Sequence, residues 1–168
     1  MKRSIAMILI LCLLAALGGC AGDQEEILDP VDFYYPRTGV SFGTDDGVIG
    51  SEAREASGHR ENPAYLISVY LHGPQSEGLR QIFPVETRLL SLKIIDDEAR
   101  LLLTDSFAQL TGVDLTLACA CLTATAMELT GAQSVRIEAA SKTLDGKDSI
   151  TMNSSTLLLL DDSESLNP

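Results

Sequence analysis

Between Arg88 and Thr104 the chain twice adopts a period of two, with Asp96-Asp97-Glu98 between the two runs. Leu90, Leu92 and Ile94 fall on one face of the first run, and Leu89, Ser91, Lys93 and Ile95 on the other. In the second run Ala99, Leu101 and Leu103 alternate with Arg100, Leu102 and Thr104. The pattern predicts an antiparallel hairpin with one buried and one wet face, which is the scaffold on which the rest of the chain must pack. Two helices flank it. Asn62 is placed as an N-cap and Pro63 as the first helical residue of a helix of about ten residues that stops at Gly73-Pro74. Asp114 to Thr130 carries Leu115, Ala118, Leu122 and Leu129 close to one stripe and ends at Gly131.

Strand signals complete the order. Val31-Asp32-Phe33-Tyr34-Tyr35 is β-branched and aromatic and stops at Pro36; Val48 to Glu55 is a weaker candidate, after a loop with Gly39, Gly43 and Asp45-Asp46-Gly47. Val135, Ile137 and Ala139 alternate with Arg136, Glu138 and Ala140; Asp145-Gly146 is a turn, Ile150 to Met152 a short strand, and Leu157 to Leu160 the expected final one. This order predicts the α/β (α+β) class: a two-layer sandwich, with both helices on one face of a small mixed sheet. The expected core includes Leu90, Leu92, Leu101, Leu103, Leu122 and Ile137. Residues 31–160 form one domain, and 161–168 an acidic tail without fixed structure.

The amino terminus stands apart from this fold. Met1-Lys2-Arg3 precedes thirteen apolar residues, Ile5 to Leu17, and then Gly18-Gly19-Cys20 and a polar run. The apolar stretch has the length of a signal-peptide core and falls short of the roughly 20 residues that span a bilayer. Leu17-Gly18-Gly19-Cys20 resembles the lipobox of bacterial lipoproteins, which implies cleavage after residue 19 and a diacylglycerol on Cys20; an ordinary secretory signal cleaved nearby is the alternative. Two acyl chains suffice for stable anchoring. Loss of Lys2 and Arg3 takes the formal charge from −12 to −14, which repels anionic lipid and nucleic acid alike. A tether over residues 20–30 then holds the domain within about 35 Å of the outer face of the cytoplasmic membrane.

Catalytic and metal chemistry finds few candidates. Cys119 and Cys121 lie about 200° apart around a helix, which suits two apolar fillers better than a disulfide or a zinc site. His59 and His72 belong to no visible constellation, and the chain has no His-Glu-x-x-His. Asp45/Asp46 and Asp96/Asp97 could in principle serve glycosidase chemistry, but adjacent acids in turns read as solvated turn residues. The expectation is a protein that is not an enzyme, with no cofactor and no metal.

The order and the residues together resemble the GerMN domain of sporulation and germination proteins of Gram-positive bacteria. The resemblance is carried by Phe33-Tyr34-Tyr35-Pro36, by the helix between Glu61-Asn62-Pro63 and Leu71-His72-Gly73-Pro74, and by Phe83-Pro84-Val85-Glu86-Thr87-Arg88-Leu89-Leu90-Ser91-Leu92. Thr104-Asp105-Ser106-Phe107, the helix end Glu128-Leu129-Thr130-Gly131 and Val135-Arg136-Ile137 follow in the family's order. The family commonly places an Asp-Gly turn directly after its Val-x-Ile strand, whereas Asp145-Gly146 here follows an added Ser141-Lys142-Thr143-Leu144. The resemblance implies a non-enzymatic, lipid-anchored interaction or scaffold module of the cell or spore envelope, similar in fold to ring-building domains and binding another envelope protein or itself. The alternative is a lipoprotein that binds a solute or a cell-wall glycan, which four Phe, four Tyr and no Trp equip poorly for sugar stacking.

Overall fold

The computed structural model describes residues 28–39 and 47–157. Among the described residues six strands and two α-helices follow one another: β1 (Pro30–Pro36), β2 (Ile49–Glu55), α1 (Pro63–Tyr70), β3 (Leu89–Ile95), β4 (Glu98–Leu103), α2 (Gly112–Thr130), β5 (Ser134–Ala139) and β6 (Ile150–Asn153). The α/β class is as the sequence predicts. The strands divide into two sheets, an antiparallel pair β1–β2 and a four-stranded mixed sheet ordered β3-β4-β5-β6. Within the larger sheet β4 and β5 run parallel, because α2 carries the chain from the end of one back to the start of the other.

Local chemistry sets the element ends. The Asn62 side chain accepts a hydrogen bond from the Tyr65 N–H at 3.2 Å and Pro63 opens α1, as the sequence pattern indicates. α2 closes at Gly131, whose φ of +69° lets its N–H reach the Met127 carbonyl at 2.8 Å. The β3–β4 loop consists of Asp96 and Asp97 alone, at φ of +50° and +61°. Two positive φ values in a two-residue loop are the mark of a type I′ turn, a geometry that favours glycine at its second position. Asp97→Gly is accordingly expected to stabilise the protein by about 0.5–1 kcal/mol, seen as a higher urea midpoint. A lower midpoint would contradict this turn geometry.

The core corrects the sequence reading in three places. Leu101, Leu103, Leu122 and Ile137 are buried as expected, but Leu92 is only partly covered and Leu90 is 52% exposed. A β-bulge is the cause: pairing runs from Leu89↔Leu103 to Ser91↔Leu102, so Leu90 is an extra residue and Leu89 replaces it beside Leu92. Second, α2 is not a one-stripe helix, since every residue from Leu117 to Ala126 is buried. It meets β1 and α1 along one side and β4, β5 and β6 along another, so a helix apolar enough to cross a membrane is here the centre of a packed core. Third, Leu157 closes a 3₁₀ turn over Ser154–Thr156 and begins no strand; the remainder of that run, 158–160, and the tail 161–168 lie outside the described residues.

The added segment after β5 has a packing role. Asp105 accepts hydrogen bonds from the Ser141 N–H (2.7 Å) and hydroxyl (2.8 Å), and Leu144 is wholly buried. Leu144 and Lys147 then bracket the Asp145-Gly146 turn, from which the chain enters β6.

Candidate functional site

Five aromatic residues form one cluster across elements that are distant in sequence. Tyr70 of α1 stacks on Tyr35 with ring centroids 4.7 Å apart, and meets Phe33 and Phe83 edge-on at 5.5 and 5.2 Å. Phe83 in turn stacks on the buried Phe107. All five rings are buried, so this cluster is core and offers no stacking platform to a sugar. One of its hydroxyl groups reaches a sheet edge. Tyr70 donates to the Tyr34 carbonyl at 2.8 Å, and Thr125 of α2 accepts from the Tyr34 N–H at 3.0 Å, so both outward backbone groups of Tyr34 on the β1 edge are satisfied by side chains. Burial pushes the Tyr70 phenol far above its ordinary range, with Cys121 and Tyr35 adding to the rise. It therefore stays a neutral donor.

A buried ion pair sits at the other side of this hairpin. Glu52 and Arg54 point from β2 toward the core side, opposite Phe33 and Val31. Arg54 Nε donates to Glu52 Oε1 at 2.7 Å, its Nη2 donates to the Gly73 carbonyl at 3.0 Å, and the guanidinium lies 5.7 Å from the Phe33 ring centroid. The Glu52 carboxylate also accepts from the Gln75 and Ser76 N–H groups at 3.0 and 2.8 Å. Burial raises the carboxyl pKa, but the hydrogen bonds from Ser76, Gln75 and Arg54 outweigh it and hold Glu52 below its ordinary 4.5. The pair thus fastens the 73–76 loop to β2. Sequence reading missed it, because Glu-x-Arg on a strand is also the pattern of a solvated pair.

Beside Arg54 an open groove of about 230 Å³ is lined by residues that include Tyr65, Val69, Ala56 and Gln75. Tyr65 is half-exposed at its rim, with the His59 ring tilted against it at 4.1 Å between centroids, whereas Phe33 lies buried beneath Arg54. Arg54 is already engaged by Glu52 and Gly73, so among the described residues the groove holds no free cation of its own.

The remaining sequence candidates resolve simply. Cys119 and Cys121 are buried free thiols whose pKa burial pushes up to about 12, so they are the apolar fillers expected. Asp96 and Asp97 occupy the exposed hairpin turn, while Cys20, Asp45 and Asp46 lie outside the described residues. Among the described residues no three His, Cys, Asp or Glu side chains come together as a metal site.

The larger sheet presents a different surface. Among the described residues β3 is an edge strand, and Leu90, Ile94 and Ile95 on it are 52%, 53% and 39% exposed. On the wet face Lys93, Arg100 and Arg136 stand in register across β3, β4 and β5. Glu98 binds Arg100 at 2.7 Å and approaches Arg136 at 3.4 Å, and Glu138 approaches Arg136 at 3.8 Å. Glu98–Arg136 is a cross-strand pair and the other two lie within one strand; together they offset the like charges of Arg100 and Arg136 on neighbouring strands. Lys93 and the apolar edge remain open to solvent.

Known proteins share this fold. The first GerMN domain of the sporulation protein GerM from Bacillus subtilis aligns over 71% of this chain and 90% of its own, with a TM-score of 0.55 at 15% identity. The tandem GerMN domains of the same protein align over 72% of this chain with a TM-score of 0.50 at 20% identity, and this chain spans 43% of that two-domain chain. Among curated proteins none matches. Residues 32–145, more than half of the sequence, match the family Germane, described as sporulation and spore germination. The chain therefore belongs to the Germane family.

Proposed function

We propose that this protein is a lipid-anchored, extracytoplasmic and non-enzymatic interaction module of the cell or spore envelope, acting in sporulation or germination. The observation that carries this reading is the open apolar edge of β3, where Leu90, Ile94 and Ile95 face solvent beside backbone groups that no described strand pairs. A strand edge of this kind binds by adding a strand, so its partner is another protein. Membership of a family linked to sporulation and germination supports the setting, and the Leu17-Gly18-Gly19-Cys20 motif supports the anchor. The candidate catalytic groups support the non-enzymatic role: Asp96 and Asp97 build a turn, and the two thiols are buried and protonated.

In-cell cross-linking, followed by purification of the membrane-bound protein and mass spectrometry, tests the reading. A reproducible protein partner or a self-cross-link is expected; recovery of bare monomer in every growth state would overturn it in favour of a solute or glycan ligand. For the anchor, Cys20→Ala is expected to leave the membrane fraction or remain unprocessed. Normal processing with unchanged detergent-phase partitioning would show that Cys20 carries no lipid.

A further inference from the structure

The turn geometry fixes which backbone groups β3 offers. A two-residue loop leaves Ile95 and Glu98 as the hydrogen-bonded pair flanking it, so Lys93 and Ser91 also bond toward β4. Leu92 and Ile94 consequently direct their N–H and C=O groups away from the sheet. The strand also has unlike charges at its two ends: exposed Arg88 precedes it, and the exposed acidic tip Asp96-Asp97 follows it.

From this we propose that β3 pairs antiparallel with β3 of a second copy of the chain, about a two-fold axis through Leu92, to form a continuous eight-stranded sheet. The inference rests on the interaction-module reading and names the partner of its edge. Antiparallel pairing brings the acidic tip of each copy to the Arg88 end of the other, twice over, whereas parallel pairing would align like ends. A shift of one residue would exchange the two faces of the strand, which excludes axes between residues. An axis through Lys93 would set two ammonium groups opposite each other. With the axis at Leu92, Leu92 meets its own copy through outward backbone groups, and Lys93 meets the Ser91 hydroxyl of the second copy. Ile94 then reaches the Leu89-Leu90 bulge of that copy, which covers the exposed apolar side chains of the edge. On the β1 edge the Tyr34 N–H and C=O are already taken by Thr125 and Tyr70.

The test uses the full-length protein in its membranes. A directly opposed hydrogen-bonded pair has Cα atoms about 5.5 Å apart, within disulfide range, so Leu92→Cys is expected to give a covalent homodimer on mild oxidation. Thr151→Cys, on the opposite edge strand β6, is expected to give none, and adding Ile94→Lys to Leu92→Cys is expected to abolish the dimer. Cys119 and Cys121 are buried and do not contribute. Because Leu92 is partly buried, Lys93→Cys with a short bis-maleimide reads the same axis from an exposed position. Folded protein that stays monomeric in both variants overturns the proposal. Coupling of the Leu92→Cys variant to a different protein also overturns self-pairing while leaving the interaction-module reading standing, and failure to couple to any protein counts against both.

Discussion

Tyr70→Phe is expected to destabilise the protein by roughly 1–3 kcal/mol, although it removes a single oxygen. The ring stays in place among Phe33, Tyr35 and Phe83, so the loss isolates the hydroxyl, which donates to the Tyr34 carbonyl at 2.8 Å. That carbonyl lies part-buried at the β1 edge, and an acceptor left without its donor there bears a desolvation cost. Thr125→Val makes the corresponding change on the same peptide edge, since the Thr125 hydroxyl receives the Tyr34 N–H at 3.0 Å. The two substitutions act on one residue's backbone, so a double-mutant cycle should show coupling of about 0.5 kcal/mol or more. Tyr70→Ala adds a cavity in the aromatic cluster and should cost roughly 3–5 kcal/mol. Denaturant unfolding measures all four variants. A Phe variant as stable as the parent would mean that the β1 edge is satisfied by some other group.

The parts of this fold that are legible in the sequence are those set by neighbours along the chain. Asn62-Pro63 and Gly131 mark helix ends because a cap is a contact within four residues. The β3–β4 hairpin is legible because its two strands join through two residues. What is not legible depends on contacts between distant segments. The bulge at Leu90 leaves the alternation of Leu89-Leu90-Ser91-Leu92 intact as a pattern while moving Leu90 out of the core, since the pattern counts residues and the bulge changes what they pair with. The division into two sheets follows from α2 standing between elements that a strand count would join. α2 itself carries a signal that a one-stripe reading passes over: Ala118-Cys119-Ala120-Cys121 and Thr123-Ala124-Thr125-Ala126 are small residues on every side, as a helix closely approached from more than one side requires. The candidate surface follows the same rule. Leu90 and Ile94 fall on the face that the alternation marks as buried, and they are exposed because no neighbour along the chain announces the bulge or the place of β3 at the sheet edge.

The Glu52–Arg54 pair leads to the other large expected effect. Arg54→Met keeps the stem that covers Phe33 but leaves the buried Glu52 carboxylate with only its hydrogen bonds from Gln75 and Ser76, and should cost roughly 3 kcal/mol. Glu52→Gln keeps one carbonyl oxygen for those N–H groups and loses the charge, at roughly 1–2 kcal/mol. Combining the two removes both charges together, so the double variant should be more stable than Arg54→Met alone, because the largest single cost is a charge buried without its counter-ion. The pH dependence has a definite sign. Glu52 is held below its ordinary 4.5 in the folded protein, so the folded state binds fewer protons there than the unfolded state. Its contribution is complete above 4.5 and is lost as pH falls through the lowered folded value. The stability gap between the parent and Glu52→Gln should therefore be widest near neutrality and shrink in acid, which urea titrations over that range measure directly. Because the carboxylate holds Gln75 and Ser76 and the guanidinium holds Gly73, the same acidification should speed amide exchange in the 73–76 loop before the four-stranded sheet opens. A gap that is independent of pH would show that Glu52 acts through its shape and hydrogen bonds and not through its charge.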